Sequence, residues 1–236
     1  MSQEIKQHEI VISVTNVDNN FVVGKNTIRA LRNINFNVNA TDFIVLYGPS
    51  GCGKSTLFNV ILGLDKPEKG EIIIRDSKIY NLDDDARAKF RAKKIGMIYQ
   101  MPYWIKSLNV IENVALPLII EGESEAQAMK QAKKTLADLE ISDLARQIPT
   151  QLSGGQQQKA GLARALVSNP WILMADEPTG NLDSKSGEEI MQIFRKLNRE
   201  HKRTILMVTH NEQYFDYGTR KVEMKDGEII KDSKNG

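Results

Sequence analysis

One cysteine among 236 residues excludes an internal disulfide and any cysteine-based zinc cluster. A reducing, cytosolic compartment fits that count. Histidine is also scarce, with three in the chain. A large excess of either charge is missing too: the net charge of +2 argues neither for nucleic acid nor for an acidic surface as partner. No apolar run approaches the roughly 18–20 residues of a membrane-spanning helix. The longest, Val114–Ile120, is short and holds Pro117. Met1–His8 has no basic patch followed by an apolar core, so a signal peptide is not expected. A soluble chain is expected, one that borrows any membrane role from a partner. Its length suits one large α/β domain, or such a domain with a small subdomain.

What is present is organised around Gly48-Pro49-Ser50-Gly51-Cys52-Gly53-Lys54-Ser55-Thr56. An apolar run, Phe43–Tyr47, precedes it, and a helical pattern of Leu57, Val60, Ile61 and Leu64 follows. Strand, glycine-rich turn and helix are the context of a phosphate-binding loop. Glycines let backbone N–H groups curl around an anion, and the helix adds the positive end of its dipole. Lys54 reaches the β- and γ-phosphates, and the Ser55 hydroxyl is a Mg²⁺ ligand. The spacing predicts binding of a nucleoside triphosphate. Cys52 lies within the loop, so alkylation there is expected to block nucleotide binding.

Ile10–Val17 and Ile34–Val38 alternate apolar and polar residues, as half-buried antiparallel strands do. Asn19–Asn26 between them reads as a turn-rich connection. Glu71–Ile74 and Lys78–Tyr80 read as a hairpin, and Asp83–Asp85 opens a helix closed by Arg91, Lys93 and Lys94. Ile95–Tyr99 is a short strand that delivers Gln100. Ser124 and Gln127 form a capping-box pattern before a helical stripe of Met129, Ala132, Leu136 and Leu139. The stretch from Pro102 to about Gln147 is expected to be mainly helical. Trp171–Ala175 and Thr204–Thr209 are continuous apolar runs, ending at Asp176-Glu177 and His210. A hairpin over Val222–Met224 and Glu228–Ile230 closes the chain, with a frayed polar tail beyond it.

Three buried strands ending at Gly48, Asp176-Glu177 and His210 predict a parallel sheet with its chemistry at the carboxyl edge. Asp176 is placed to assist a Mg²⁺ ion, and Glu177 to act as general base on the water attacking the γ-phosphate. His210 is placed to donate to the γ-phosphate, and Gln100 to orient metal or water. A surface acidic pair and a structural histidine are the plainer alternatives.

Gly48–Thr56, Gln100, Leu152–Gln156, Trp171–Glu177, Gly180–Asp183 and His210 resemble the Walker A, Q-loop, signature, Walker B, D-loop and H-loop of ABC-type ATPases, in that order. The resemblance covers nearly the whole chain. It implies a mainly parallel core sheet, an antiparallel β subdomain, and a helical subdomain of about residues 102–168 inserted in a single ATPase domain. It implies ATP and Mg²⁺ as ligands, with Ser55, Gln100 and Asp176 at the metal and Glu177 and His210 at the γ-phosphate. Ser153, Gly154, Gly155 and Gln156 would contact the ATP of a second copy in a head-to-tail dimer, and Asp183 would couple the two sites. Phe21 is the candidate for stacking on adenine, with a core role as the alternative. Ala30–Ile34, Asn113–Pro117 and Ala175–Asp183 resemble the lipoprotein-releasing and macrolide-export group. The chain would then sit at the cytoplasmic face of the inner or cell membrane, on a separate membrane subunit, without nucleic acid. Tyr103 and Trp104 would either dock that subunit or fill the subdomain core. A soluble or cell-division ABC ATPase is the alternative; a GTPase is disfavoured because no Asn-Lys-x-Asp motif is present.

Overall fold

The computed structural model of the chain describes residues 9–24 and 26–235. The first half of the chain forms β1 (Ile10–Val23), β2 (Asn26–Asn39), β3 (Phe43–Tyr47), α1 (Lys54–Ile61), β4 (Lys69–Ile74), β5 (Ser77–Lys78), α2 (Asp84–Lys94) and β6 (Ile95–Tyr99). Then follow α3 (Val110–Ile120), α4 (Glu125–Asp138), α5 (Gly154–Leu166), β7 (Ile172–Asp176), α6 (Ser184–Arg199), β8 (Thr204–Val208), β9 (Arg220–Lys225) and β10 (Glu228–Lys234). These elements divide into two compact units, Met1–Arg91 with Arg195–Gly236, and Ala92–Phe194. Among the described residues no helix is long and apolar enough to cross a membrane.

The first unit holds an antiparallel sheet in the order β2-β1-β4-β5. In β2, Ile34, Phe36 and Val38 point inward and the asparagines between them outward, the period-2 pattern of a half-buried strand. The same unit orders β10-β9-β3-β8, with β3 parallel to both β8 and β9. Every residue of β8, and β3 from Phe43 to Leu46, is buried, as strands covered on both faces must be. In the second unit β6 runs parallel to β7. Around Val114, Ala132, Leu136 and Ala163 the helices α3, α4 and α5 build a separate apolar cluster. The expected combination of parallel sheet, antiparallel sheet and helices is what the chain adopts.

Four local expectations are corrected. Asn19–Asn26 is not a turn-rich connection: β1 continues to Val23, pairing Asn20 with Arg29 and Phe21 with Ile28. Register shifts near Asn16 and Asn19 absorb the asparagines, and Asn16 and Asn33 take positive φ (50° and 46°), which asparagine tolerates. Lys25 lies outside the described residues, as does Met1–His8. Past Lys78 the second strand of the 71–80 hairpin stops, and Ile79–Asn81 is a 3₁₀ turn with Ile79 buried. The tail does not fray before Lys234, because Asp232 accepts both Nε and Nη2 of Arg220 at 2.6 and 2.5 Å. Asn235 holds the end of the strand by donating its Nδ2–H to the Gly218 carbonyl at 2.7 Å. At α4, Ser124 caps the Gln127 N–H as expected. The Gln127 carboxamide, however, accepts from the Ser124 hydroxyl instead of closing a full box.

Candidate active site

In the first unit, β3 ends at a loop whose backbone only glycine can follow. Gly48 has φ +148°, and a Cβ there would stand 2.1 Å from the Met224 carbonyl oxygen. Gly53 has φ +102°, and its Cβ would stand 2.4 Å from the Ala30 oxygen. Gly53 also precedes α1 and supplies no side-chain cap, so the first amides of the helix stay open to an anion. Lys54 folds back over the loop, donating from Nζ to the Gly48 carbonyl at 2.8 Å and the Pro49 carbonyl at 2.9 Å. Its charge is thereby fixed against the loop backbone instead of sweeping through solvent. Ser50 and Gly51, at the tip, are exposed, as is the Ser55 side chain in the first turn of α1.

A cavity of about 580 Å³ opens over this loop, lined by Gly51, Gly53, Lys54, Ser55 and Thr56 on one side. Phe21 and Ile28, paired across the β1–β2 hairpin, line it too. Phe21 is 40% exposed, which removes the core alternative and leaves its ring available as a stacking surface. Ile28, Arg29, Ala30, Arg32, Asp226 and Gly227 complete the lining and were not foreseen. For Ile28 a signal existed: once Phe21 is read as strand, its cross-strand partner follows. Gly227 and Asp226 carried only the signal of a tight turn.

Cys52 is buried at 3% exposure, with Sγ 3.7 Å from Lys54 Nζ. Alkylation is therefore expected to be slow as well as blocking. N-ethylmaleimide is expected to react over hours, abolish ATP binding once attached, and react more slowly still with ATP present. Mass spectrometry of the tryptic peptide reads all three, and an ATP-independent rate would refute the placement of the loop around the phosphates.

His210 follows β8, whose parallel pairing with β3 continues to Leu46↔Val208. The Thr209 N–H donates to the Leu46 carbonyl at 3.2 Å, and the buried Thr209 hydroxyl accepts from Asn211 N–H at 3.1 Å. These contacts bring the exposed His210 to the same sheet edge as the start of the phosphate loop.

The second unit carries the remaining candidates. Tyr99 and Asp176 are register partners at the ends of β6 and β7, so Gln100 and Glu177 leave the sheet side by side. Gln100 donates Nε2–H to Asn181 Oδ1 at 3.0 Å, which turns its oxygen, the end a cation requires, the other way. Gly180 makes this possible: a Cβ there would stand 2.7 Å from Gln100 Nε2. Glu177 itself has φ +47°, in the left-handed region, and its carbonyl accepts the Gly180 N–H at 3.0 Å. A non-glycine residue held there costs about 1–3 kcal/mol, strain of a kind that concentrates at functional sites.

Ser153 and Gln156 close a capping box at the start of α5, with Ser153 Oγ accepting the Gln156 N–H at 3.3 Å and Gln156 Oε1 accepting the Ser153 N–H at 2.9 Å. Gly154 and Gly155 have a further reason to be glycine. A Cβ on Gly155 would stand 2.9 Å from Ser186 Oγ, and one on Gly154 3.3 Å from Leu182. Asp183 accepts the Ser186 N–H at 3.0 Å and its hydroxyl at 2.7 Å, bonds that hold its carboxyl below the usual range. Tyr103 and Trp104 part company. Trp104 packs against the helical cluster, donates to Gln157 Oε1 at 3.1 Å and lies under the Arg164 guanidinium, while Tyr103 is 75% exposed.

The family described as ABC transporter matches residues 31–180. Over 228 residues the chain is 43% identical to MJ0796, an uncharacterised ABC transporter ATP-binding protein of Methanocaldococcus jannaschii, covering 95% of this chain and 97% of that one. It is 40% identical over 224 residues to the macrolide export ATP-binding/permease protein MacB of Mannheimia succiniciproducens, covering 95% of this chain but 35% of that longer one. The solved dimeric structure of MJ0796 in a post-hydrolysis state, bound to ADP and Pi, matches with a TM-score of 0.87, covering 95% of this chain and 99% of that chain.

Proposed function

The chain belongs to the ABC transporter family as one of its ATP-hydrolysing cassettes, and from that premise we propose that it is the motor subunit of a two-component membrane system. ATP-driven closure of two copies drives a separate integral membrane subunit, in export, lipoprotein release or mechanotransmission. The observation that carries this reading is the loop Gly48–Thr56: two glycines pressed against carbonyls, and an ammonium held on the Gly48 and Pro49 carbonyls.

In the proposed cycle adenine stacks on Phe21, with Ile28 beside it, and the phosphates rest on the amides from Gly48 through Thr56, Pro49 excepted because it has no N–H. Lys54 neutralises the terminal phosphates. Ser55, Gln100 and Asp176 are the residues that would hold Mg²⁺, which would supply charge neutralisation at the phosphates. No cluster of three or more His, Cys, Asp or Glu able to hold a metal occurs among the described residues. A magnesium held by few protein oxygens plus the nucleotide suits that set. Glu177 takes a proton from water as its oxygen attacks the γ-phosphorus, the bond to the β-bridging oxygen breaks, and ADP and phosphate leave. His210 donates to the γ-phosphate as charge shifts.

Gly154 and Gly155 offer the N–H groups of the α5 start to the ATP of the second copy, with Ser153, Gln156 and Asp183 beside them. The sandwich dimer is the state that hydrolyses, and its opening and closing is the mechanical output. The helices of about residues 102–168 form the subdomain that carries this second anion site. We place the membrane subunit against Met101, Tyr103 and Ile105, which are 66%, 75% and 44% exposed. The chain then acts peripherally at the cytoplasmic face of the membrane, without nucleic acid.

The test is capture from detergent-solubilised membranes with Mg-ATP, using Glu177→Gln as bait. A co-purifying subunit with few spans and a large extracytoplasmic domain supports export or lipoprotein release. A dimer that brings down nothing membrane-bound would mean a soluble ABC ATPase instead. In the same bait, Tyr103→Ala is expected to lose the membrane subunit while keeping its melting temperature. Trp104→Ala is expected to lose about 2 kcal/mol of stability, part of the usual cost of removing a fully buried tryptophan.

A further inference from the structure

The turn between β9 and β10 closes on the phosphate loop and shares its cavity. Gly227 donates its N–H to the Cys52 carbonyl at 3.1 Å, and its own carbonyl accepts the Arg32 N–H at 2.8 Å. A single residue of the C-terminal hairpin thus ties the loop to β2. The approach is set by β9 running parallel beside β3, with Leu46 opposite Val222 and Tyr47 opposite Glu223. Asp226 and Gly227 both have positive φ, 49° and 84°, the pair that a type I′ hairpin turn requires.

The bond to Cys52 has a directional consequence. In a planar trans peptide the C=O of one residue and the N–H of the next point opposite ways. Holding the Cys52 carbonyl against Gly227 therefore fixes the Gly53 N–H on the side away from the hairpin, in a loop whose Gly53, Lys54 and Ser55 line the cavity. Released from Gly227, this peptide is free to rotate and present a carbonyl dipole to the phosphates, which repels them. A Cβ on Gly227 would stand 3.0 Å from the Ala30 oxygen, and the left-handed φ adds strain, so a side chain there must push the turn off its contact.

We infer that Gly227 is a positioning residue for nucleotide binding, the clamp that aims the Cys52–Gly53 peptide at the triphosphate. The inference rests on the ATP-binding reading above. Gly227→Ala is expected to raise the dissociation constant for ATP about tenfold, the upper worth of one misdirected hydrogen bond. The loss falls on KM and not on kcat. Gly227→Asn, which tolerates the backbone conformation but keeps the Cβ, is expected to lie in between.

Hydrogen exchange on the unmodified chain needs no variant to fold. If the clamp favours ATP, ATP must favour the clamp to the same degree. Mg-ATP should therefore slow exchange at the Gly227 and Arg32 amides more than at the amides of residues 231–234, further along β10. Equal slowing along the hairpin, or wild-type affinity in Gly227→Ala, overturns the inference. Wild-type protein that binds no ATP at all would sink the nucleotide reading itself, which keeps the two failures apart.

Discussion

Glu177→Gln is expected to cut ATP turnover by 10²- to 10³-fold, within the usual worth of a general base, while leaving ATP affinity intact. The carboxamide has the same shape as the carboxylate, and the left-handed backbone at φ +47° with its Gly180 bond is untouched. What disappears is a group able to accept the proton of the attacking water. Binding then proceeds and hydrolysis does not, so the variant should accumulate as an ATP-loaded dimer in size-exclusion chromatography. Turnover within a few-fold of wild type would remove Glu177 from the role of base. A second diagnostic is the split itself. A residue that only shaped the strand end would damage KM and stability together, whereas this one should lower kcat alone.

Lys54→Ala is expected to weaken ATP binding by about 10²-fold, measured by calorimetry with a non-hydrolysable analogue. One charge-assisted hydrogen bond is worth about 1.5–3 kcal/mol, and a triphosphate has no other lysine in the loop to turn to. The variant also unties the Gly48 and Pro49 carbonyls, which Lys54 holds at 2.8 and 2.9 Å, so part of the loss comes from a less ordered loop. Arginine is not expected to rescue. Its planar fork does not fit an ammonium seat that bridges two carbonyls while facing a phosphate. Affinity within threefold of wild type would mean that the phosphates lie elsewhere.

Much of this site was legible because its parts are local. β3, β7 and β8 declare themselves as apolar runs, and the residues that follow each run, Gly48, Asp176 and His210, are fixed by it. The glycine loop and the Ser153–Gln156 cap are likewise short-range patterns. What stayed hidden depended on pairing across the chain. Ile28 joins the pocket through the β1–β2 register, and Gly227 through β9 lying beside β3. No periodicity in either segment reports that meeting. The asparagine-rich stretch around Asn19 misled because asparagine is a turn residue by habit, yet here it occupies bulges inside a continuing strand. Tyr103 and Trp104 could not be told apart by type: adjacent aromatics read alike until packing assigns one to the helices and one to solvent.

The contact between Gly155 and Ser186 constrains how this chain can vary. Ser186 fills the space a side chain at 155 would need, and its hydroxyl and amide also cap Asp183. A methyl at 155 needs Ser186 to shift or to lose its hydroxyl, and losing it strips that bond from Asp183. The two positions are therefore expected to be coupled, the effect of a substitution at 155 depending on the residue at 186. A library that randomises residue 155 alone should return glycine, whereas one that randomises 155 and 186 together is the place to look for a working alternative.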